Sequence, residues 1–104
     1  MADGWHKVAR KSEMGEGEVV GASVGDKQVA VYLIGGELYA TDNICTHAYA
    51  CLSDGYLEDA VIECPLHAGR FEVKTGKALG APVTKDIATF PVKLEGDDIL
   101  VKLG

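Results

Sequence analysis

Positive charge is scarce in this sequence, which has 10 lysine and arginine residues against 16 aspartate and glutamate residues and a formal net charge of −6. Proteins that bind nucleic acids through phosphate contacts need clustered lysine and arginine side chains. We therefore expect no nucleic-acid partner. The acidity has two explanations, general solubility or electrostatic docking onto basic surfaces of partner proteins, and composition does not separate them.

Long apolar runs are also missing, since no segment approaches the roughly 18 to 20 residues that a membrane-spanning helix requires. Residues 1–5 lack the basic and apolar regions of a secretory signal peptide. We expect no membrane anchor and a cytoplasmic location. The 104 residues are enough for one hydrophobic core and too few for a second catalytic domain, so we expect a single domain over residues 1–104.

Cysteine and histidine are few, with three residues of each, but four of these six residues lie in two short motifs. Cys45 and His47 form a Cys-x-His motif, and Cys64 and His67 form a Cys-x-x-His motif after 16 intervening residues. Two thiols and two imidazoles suit a zinc ion, or a 2Fe-2S cluster in which each iron takes one kind of ligand. Structural zinc sites usually take like ligands from each half, whereas each motif here supplies one of each, which favours a binuclear centre.

The two motifs and their separation resemble the Rieske signature. Over nearly its whole length the chain is similar to the small Rieske ferredoxins of bacterial aromatic-ring dioxygenase systems. The resemblance implies an all-β Rieske fold, an antiparallel β-sandwich with a cluster-binding subdomain at about residues 43–83 made of two ligand loops. The other positions that carry the resemblance are Asp42, Asn43, Gly69, Phe71, Thr75, Gly76 and the segments 52–58, 76–79 and 81–84.

The resemblance also implies a role for each ligand. Cys45 and Cys64 would hold the inner iron of one 2Fe-2S cluster, and His47 and His67 would hold the outer iron, which takes the electron. The implied protein is a soluble, monomeric one-electron carrier with no substrate chemistry of its own. It would pass electrons from an NAD(P)H-dependent flavoprotein reductase to the Rieske centre of a terminal aromatic ring-hydroxylating oxygenase.

The sequence departs from the respiratory Rieske proteins, which carry a disulfide between one extra cysteine in each loop. The second of those positions is Leu66 here, and Cys51 lies one residue further from Cys45 than that pattern expects, so we expect Cys51 to be a free thiol. High-potential members place serine and tyrosine hydroxyls near the cluster at the positions of Gly69 and Phe71. Because such hydrogen bonds favour the reduced cluster, we expect a midpoint towards the lower end of about −150 to +300 mV.

Two other functions stay open from the sequence. One is a small Rieske-like subunit of another oxidoreductase, such as the nitrite reductase small subunit, although members of that group often lack the ligands. The other is a zinc-stabilised interaction domain, which would be colourless and silent to reduction.

Short runs of β-branched and aromatic residues predict strands, separated by turn signals at Gly25 with Asp26 and at Gly35 with Gly36. No segment predicts an amphipathic helix. The predicted strands are an N-terminal one near Trp5 and His6, Val19–Val24, 28–33, Glu37–Asp42, Val61–Glu63, Arg70–Glu72, 89–94 and 99–103.

The last two runs are expected to form a hairpin with one face on the core, in which Val92 and Leu94 alternate with Lys93, and residues 99, 101 and 103 alternate with 100 and 102. Residues 80–82, with Pro82, resemble the proline-containing third loop that covers a Rieske cluster. We expect His6 at the surface. The candidates for an apolar rim around the histidines are Ala48, Tyr49 and Leu66.

Overall fold

A computed structural model describes residues 4–46, 50–66, 68–80 and 85–103 of the chain. These residues form ten antiparallel strands and two single 3₁₀ turns, at Lys11–Glu13 and Leu52–Asp54. The predicted all-β fold class is therefore confirmed. The strands are β1 Trp5–Arg10, β2 Val19–Val24, β3 Lys27–Ile34, β4 Glu37–Asp42, β5 Tyr56–Glu58, β6 Val61–Glu63, β7 Arg70–Glu72, β8 Thr89–Phe90, β9 Val92–Glu95 and β10 Asp98–Lys102.

The strands make three sheets with the orders β1-β10-β9, β2-β3-β4-β8 and β5-β6-β7. The first two pack face to face, and the third carries the segment between the two cysteine motifs and the strand that follows them. The register of the β1-β10 pair shifts between Lys7 and Ala9, which is a bulge. Two-residue turns at 25–26 and 35–36 join β2 to β3 and β3 to β4, where the sequence predicts them.

The turn between β3 and β4 shows why glycine is needed there. Gly35 and Gly36 both have positive φ angles, of 60° and 79°, as the two central residues of a tight hairpin turn require. Glu16 holds this turn from outside, because its carboxylate accepts the N–H of Gly35 at 2.5 Å and that of Gly36 at 2.9 Å. The strands predicted at Val19–Val24 and Glu37–Asp42 have the expected bounds, and β3 is one residue longer at each end than predicted.

The prediction of one continuous strand over residues 89–94 is wrong. Pro91 has no N–H to donate and separates β8, which pairs with β4, from β9, which pairs with β10 in another sheet. The final hairpin places its expected face on a core in part. Ile99 and Val101 lie in that core, and Val92 and Leu103 pack against it. Leu94 departs from the prediction because it is 44% exposed, and Leu100 is buried as well.

Two hydrophobic cores lie on opposite sides of β3, because alternate residues of a strand point to opposite faces. The core between the first two sheets, here called the basal core, contains Met14, Val29, Val31, Leu33, Ala40, Ile99 and Val101. The core on the other face, here called the thiol core, contains Ala30, Tyr32, Cys45, Leu52, Ile62, Cys64, Phe71, Val73 and Ile87. The strand β3 is thus buried on both faces.

Candidate metal centre

The first cysteine loop begins where β4 ends, and Asn43 closes its neck. The N–H of Asn43 donates to the carbonyl of Gln28 at 2.9 Å, and its own carbonyl accepts the N–H of Leu52 at 2.7 Å. The side-chain oxygen accepts the N–H of Ser53 at 2.8 Å, and the side-chain nitrogen donates to the Ser53 hydroxyl at 2.9 Å. Asn43 is buried, so a single residue joins both ends of the loop in a site shielded from water.

Inside that neck the loop narrows further. Ile44 and Cys51 form an isolated antiparallel bridge, and the N–H of Cys45 donates to the carbonyl of Ala50 at 2.9 Å. Cys45 is 4% exposed, whereas the next residue, Thr46, is exposed and donates its hydroxyl to the carbonyl of Lys85 at 3.0 Å. The chain therefore passes from the thiol core to the surface within one residue of Cys45.

The second cysteine loop joins β6 to β7. The N–H of Cys64 donates to the carbonyl of Gly69 at 2.6 Å, which closes the loop. Cys64 is 1% exposed, and Leu66 after it is 44% exposed. Ala68 has a φ of 57°, a left-handed conformation that costs a residue with a Cβ about 1 kcal/mol or more. The second loop thus makes the same change from buried cysteine to exposed surface as the first.

The two buried thiols lie next to each other. Burial raises the pKa of the Cys64 thiol above its ordinary value, the Leu66 N–H that donates to its sulfur at 3.5 Å opposes that rise, and the neighbouring Cys45 thiol adds to it. Burial therefore opposes ionisation of the Cys64 thiol when only protons are bound. A metal centre would reverse this, because thiolates are the form that ligates and the metal supplies the compensating charge.

Both histidines of the pattern, His47 and His67, lie outside the described residues. The same is true of Ala48 and Tyr49, proposed for the apolar rim, and of Pro82 in the predicted third loop. Within the described ranges there is no group of three or more histidine, cysteine or acidic side chains that could hold a metal ion. The described donors are the two thiols, and they fit the half of a Rieske cluster that takes two thiolates.

Other residues that the sequence singles out are found around the thiols. The Phe71 ring is fully buried in the thiol core with Cys45 and Cys64. Gly76 has a φ of 79°, and a Cβ on it would collide with the carbonyl oxygen of Ile87. The Ile87 N–H donates to the Gly76 carbonyl at 2.7 Å. Cys51 is half-buried at the base of the first loop, and no disulfide links it to another cysteine. His6 is exposed, as predicted.

Sequence reasoning missed the contact between the first loop and β2. A Cβ on Gly21 would lie 2.7 Å from the Ser53 hydroxyl oxygen and 2.8 Å from the Asn43 side-chain nitrogen, closer than real Cβ atoms approach. Asn43 belongs to the pattern that the sequence shares with the family, so it could have been singled out. Nothing in the sequence indicates that Ser53 and Gly21 lie against it.

The Rieske [2Fe-2S] domain model matches residues 4–91. This chain belongs to the Rieske family. The predicted Rieske fold and the prediction of one Rieske-type 2Fe-2S cluster are therefore confirmed, and the cluster's assignment to four particular residues stays a prediction.

Ferredoxin components of named dioxygenase systems are similar to this chain. It is 54% identical over 99 residues to the ferredoxin component of a naphthalene 1,2-dioxygenase system from Pseudomonas putida, and the alignment covers 95% of each chain. It is 52% identical over 103 residues to the ferredoxin component of naphthalene 1,2-dioxygenase/salicylate 5-hydroxylase systems from a Ralstonia species, which covers 99% of each.

Solved Rieske structures share the fold. The ferredoxin of Sphingomonas yanoikuyae B1 superposes with a TM-score of 0.90 at 35% identity and covers 95% of this chain and 98% of that one. A chain in the complex of reduced oxygenase and oxidised ferredoxin of carbazole 1,9a-dioxygenase gives a TM-score of 0.89 at 39% identity, with 96% and 94% coverage. In the described part of this Rieske protein, no helix is long and apolar enough to cross a membrane.

Proposed function

We propose that this protein is a soluble, cytoplasmic one-electron carrier of an aromatic ring-hydroxylating dioxygenase system. It takes electrons from an NAD(P)H-dependent flavoprotein reductase and gives them to the Rieske centre of a terminal oxygenase. It works as a monomer and transforms no substrate itself. One observation carries this proposal, the identity of more than half of its residues with a dioxygenase ferredoxin component over 95% of both chains.

The ligand assignment belongs to the same proposal. Cys45 and Cys64 hold one iron from inside the thiol core, and His47 and His67 hold the other. The adjacency and burial of the two thiols support the first half of this assignment. The second half is supported by the histidine that follows each cysteine within three residues. When bound, the cluster supplies a one-electron couple at this end of the molecule.

The protein's own groups determine what that couple experiences. The thiol core excludes water from the two sulfurs, and the Leu66 N–H donates to the Cys64 sulfur at 3.5 Å, where it stabilises negative charge. Phe71 has no hydroxyl to add a second donor from its position in the core, and Gly69 has no side chain. The absence of hydroxyl donors at positions 69 and 71 supports a midpoint towards the lower end of the Rieske range, which suits acceptance from a flavoprotein.

The surface beside the second loop suits brief protein contacts. Leu66 and Leu79 are 44% and 42% exposed, and Tyr56 is 68% exposed. Tyr56 pairs in register with Glu63, which directly precedes Cys64. Apolar and aromatic side chains are typical of interface centres, and charges are typical of their rims. With a net charge of −6, encounters with basic partner surfaces gain speed at low salt and lose it as salt screens the charges.

The first experiment is an electron paramagnetic resonance (EPR) spectrum of the purified protein before and after dithionite reduction, with a redox titration of the same sample. We expect a rhombic Rieske signal that appears only on reduction, with a low midpoint. A colourless, EPR-silent sample that contains zinc after anaerobic preparation would contradict the carrier function. Stopped-flow reduction by a flavoprotein reductase of a naphthalene-type system, repeated at rising salt, then tests the partner directly.

The histidine half of the assignment is tested by His67→Cys. A third thiolate adds negative charge at the outer iron, so we expect a much lower midpoint or loss of the cluster. A variant with an unchanged midpoint would show that His67 is not a ligand, while leaving the rest of the carrier proposal intact.

A further inference from the structure

The first cysteine loop is a short excursion whose two ends are joined by one side chain. The carboxamide of Asn43 contacts Ser53 twice, accepting its N–H at 2.8 Å and donating to its hydroxyl at 2.9 Å. The backbone carbonyl of Asn43 accepts the N–H of Leu52 at 2.7 Å. Three hydrogen bonds therefore hold residue 43 against residues 52–53, and the loop between them contains Cys45 and His47.

This junction rests on the sheet. The N–H of Asn43 continues the β3 ladder by donating to the carbonyl of Gln28 at 2.9 Å. On the adjacent strand, Gly21 lies opposite Ala30 in register and leaves the space that the Asn43 amide and the Ser53 hydroxyl occupy. A methyl group at position 21 would meet those two groups at 2.8 and 2.7 Å, so at least one of them would have to move.

The burial of Asn43 gives these bonds their weight. Asn43 is 2% exposed, and no buried side-chain nitrogen or oxygen in the described part of the chain is left without a partner. A buried amide that loses its partners costs more than an exposed one, because water cannot replace them. Rearranging the neck is consequently costly, and the neck lies two residues before Cys45.

We infer that Asn43 is a positioning residue for the cluster, and that Gly21 and Ser53 complete its site. By fixing the separation of the loop's two ends, the Asn43 carboxamide sets the path of the chain through Cys45. It touches no iron and acts through the backbone. This inference rests on the ligand assignment proposed above and assigns the first loop's geometry to a residue and a strand that the ligand pattern does not contain.

The test compares Asn43→Ala and Gly21→Ala in the cluster-loaded protein. Each perturbs the neck from a different side, and each should change the g-values of the reduced EPR signal and the midpoint and speed thermal bleaching of the cluster about tenfold. Ser53→Ala removes one of the carboxamide's two contacts with Ser53 and should give a smaller change of the same kind.

Two matched controls separate positioning from stability. Val101→Ala removes two buried methyl groups from the basal core, away from the cysteine loops. Gly15→Ala adds a methyl whose nearest neighbour is the Glu18 side chain at 3.4 Å. Both controls should keep the wild-type EPR spectrum and midpoint, even where Val101→Ala lowers the melting temperature.

Three results would overturn the inference. One is an Asn43→Ala protein that is less stable but has the wild-type spectrum and midpoint, because its role would then be structural alone. If Asn43→Ala fails to load a cluster, a wild-type spectrum in both Gly21→Ala and Ser53→Ala would decide against it equally. A wild-type sample without any Rieske signal would overturn the ligand assignment and the inference together.

Discussion

The basal core and the thiol core share the strand β3 but are completed in different ways. On one face Val29, Val31 and Leu33 pack with aliphatic residues of β10, and the chain alone supplies a complete apolar interior. On the other face Ala30 and Tyr32 lie in a core that includes two cysteines. The hydrophobic effect alone completes the first core, whereas on the proposed ligand assignment the second core is completed only when the cofactor binds.

The chemistry of the sulfurs accounts for that difference. An aliphatic core gains stability from burial at any protonation state, whereas the raised pKa of Cys64 shows that burial opposes the form in which a cysteine binds metal. On the proposed ligand assignment, loading the cluster would replace two protons by a positively charged centre, so packing of the thiol core and cofactor binding would stabilise each other. The basal core contains no cysteine.

The largest expected difference between the two cores comes from replacing a cysteine of the thiol core. Cys64→Ser should abolish the cluster absorbance, because a serine hydroxyl is a poor substitute for a buried thiolate ligand, while far-UV circular dichroism still shows a β-rich protein. Anaerobic absorption spectra and iron content measure the loss. Cys51→Ser is the control and should keep its colour, and a colourless Cys51→Ser protein would make Cys51 a ligand or a brace.

A matched isoleucine pair sharpens the comparison. Ile62 of the thiol core and Ile99 of the basal core are both fully buried, so Ile62→Ala and Ile99→Ala should each lower the free energy of unfolding by about 2 to 5 kcal/mol. Only Ile62→Ala should also speed bleaching of the cluster, which is followed by visible absorbance during thermal melts. Equal bleaching rates in the two variants would mean that the cores are not separate in their effect on the cofactor.

A smaller change concerns the potential alone. Phe71→Tyr adds a hydroxyl within the thiol core, where donation to a cysteine sulfur would favour the reduced cluster and raise the midpoint. Phe90→Tyr makes the same change on the basal side and should leave the midpoint unchanged. Redox titration of both variants decides, and a Phe71→Tyr midpoint at or below the wild-type value would contradict the argument.

The smallest effect is a pH dependence of the basal half. The pKa of Asp97 is lower than its ordinary value of 3.8. The largest cause is the hydrogen bond from the Ser12 hydroxyl, and the Ser12 N–H and Arg10 act in the same direction. The folded state therefore prefers the ionised carboxylate, and this contribution is present above pH 3.8 and is lost as the pH falls through the folded pKa. Asp97→Asn should flatten this part of the profile of melting temperature against pH, and an unchanged slope would show that Asp97 is not its source.

The sequence predicted the parts of the molecule that local chemistry determines. Gly25 with Asp26 and the glycine pair at 35–36 predicted the two turns, and the two cysteine motifs predicted which loops would meet. The predicted adjacency of Cys45 and Cys64 depends only on their two hairpins facing one core, and the structure shows them together. The low midpoint stays a prediction, since no geometry measures it.

What the sequence did not predict depends on contacts between distant segments. The strand β5 is three residues long and carries little signal of its own. The run 89–94 has strand propensity throughout, and only its position between two sheets makes Pro91 a point of departure. The role of Gly21 is invisible without knowing that Asn43 and Ser53 lie above it, because a glycine in a strand has several explanations.

The two-sided burial of β3 also bears on the fidelity of folding. Slipping this strand by one residue against β2 and β4 would turn Ala30 and Tyr32 towards the aliphatic layer and the valines towards the sulfurs. In a strand with one solvent-exposed face, such a slip would disrupt packing on one side only. Here it would disrupt the packing of both cores. The different sets of side chains on the two faces of β3 therefore favour one alignment of the sheet, whether or not iron is bound.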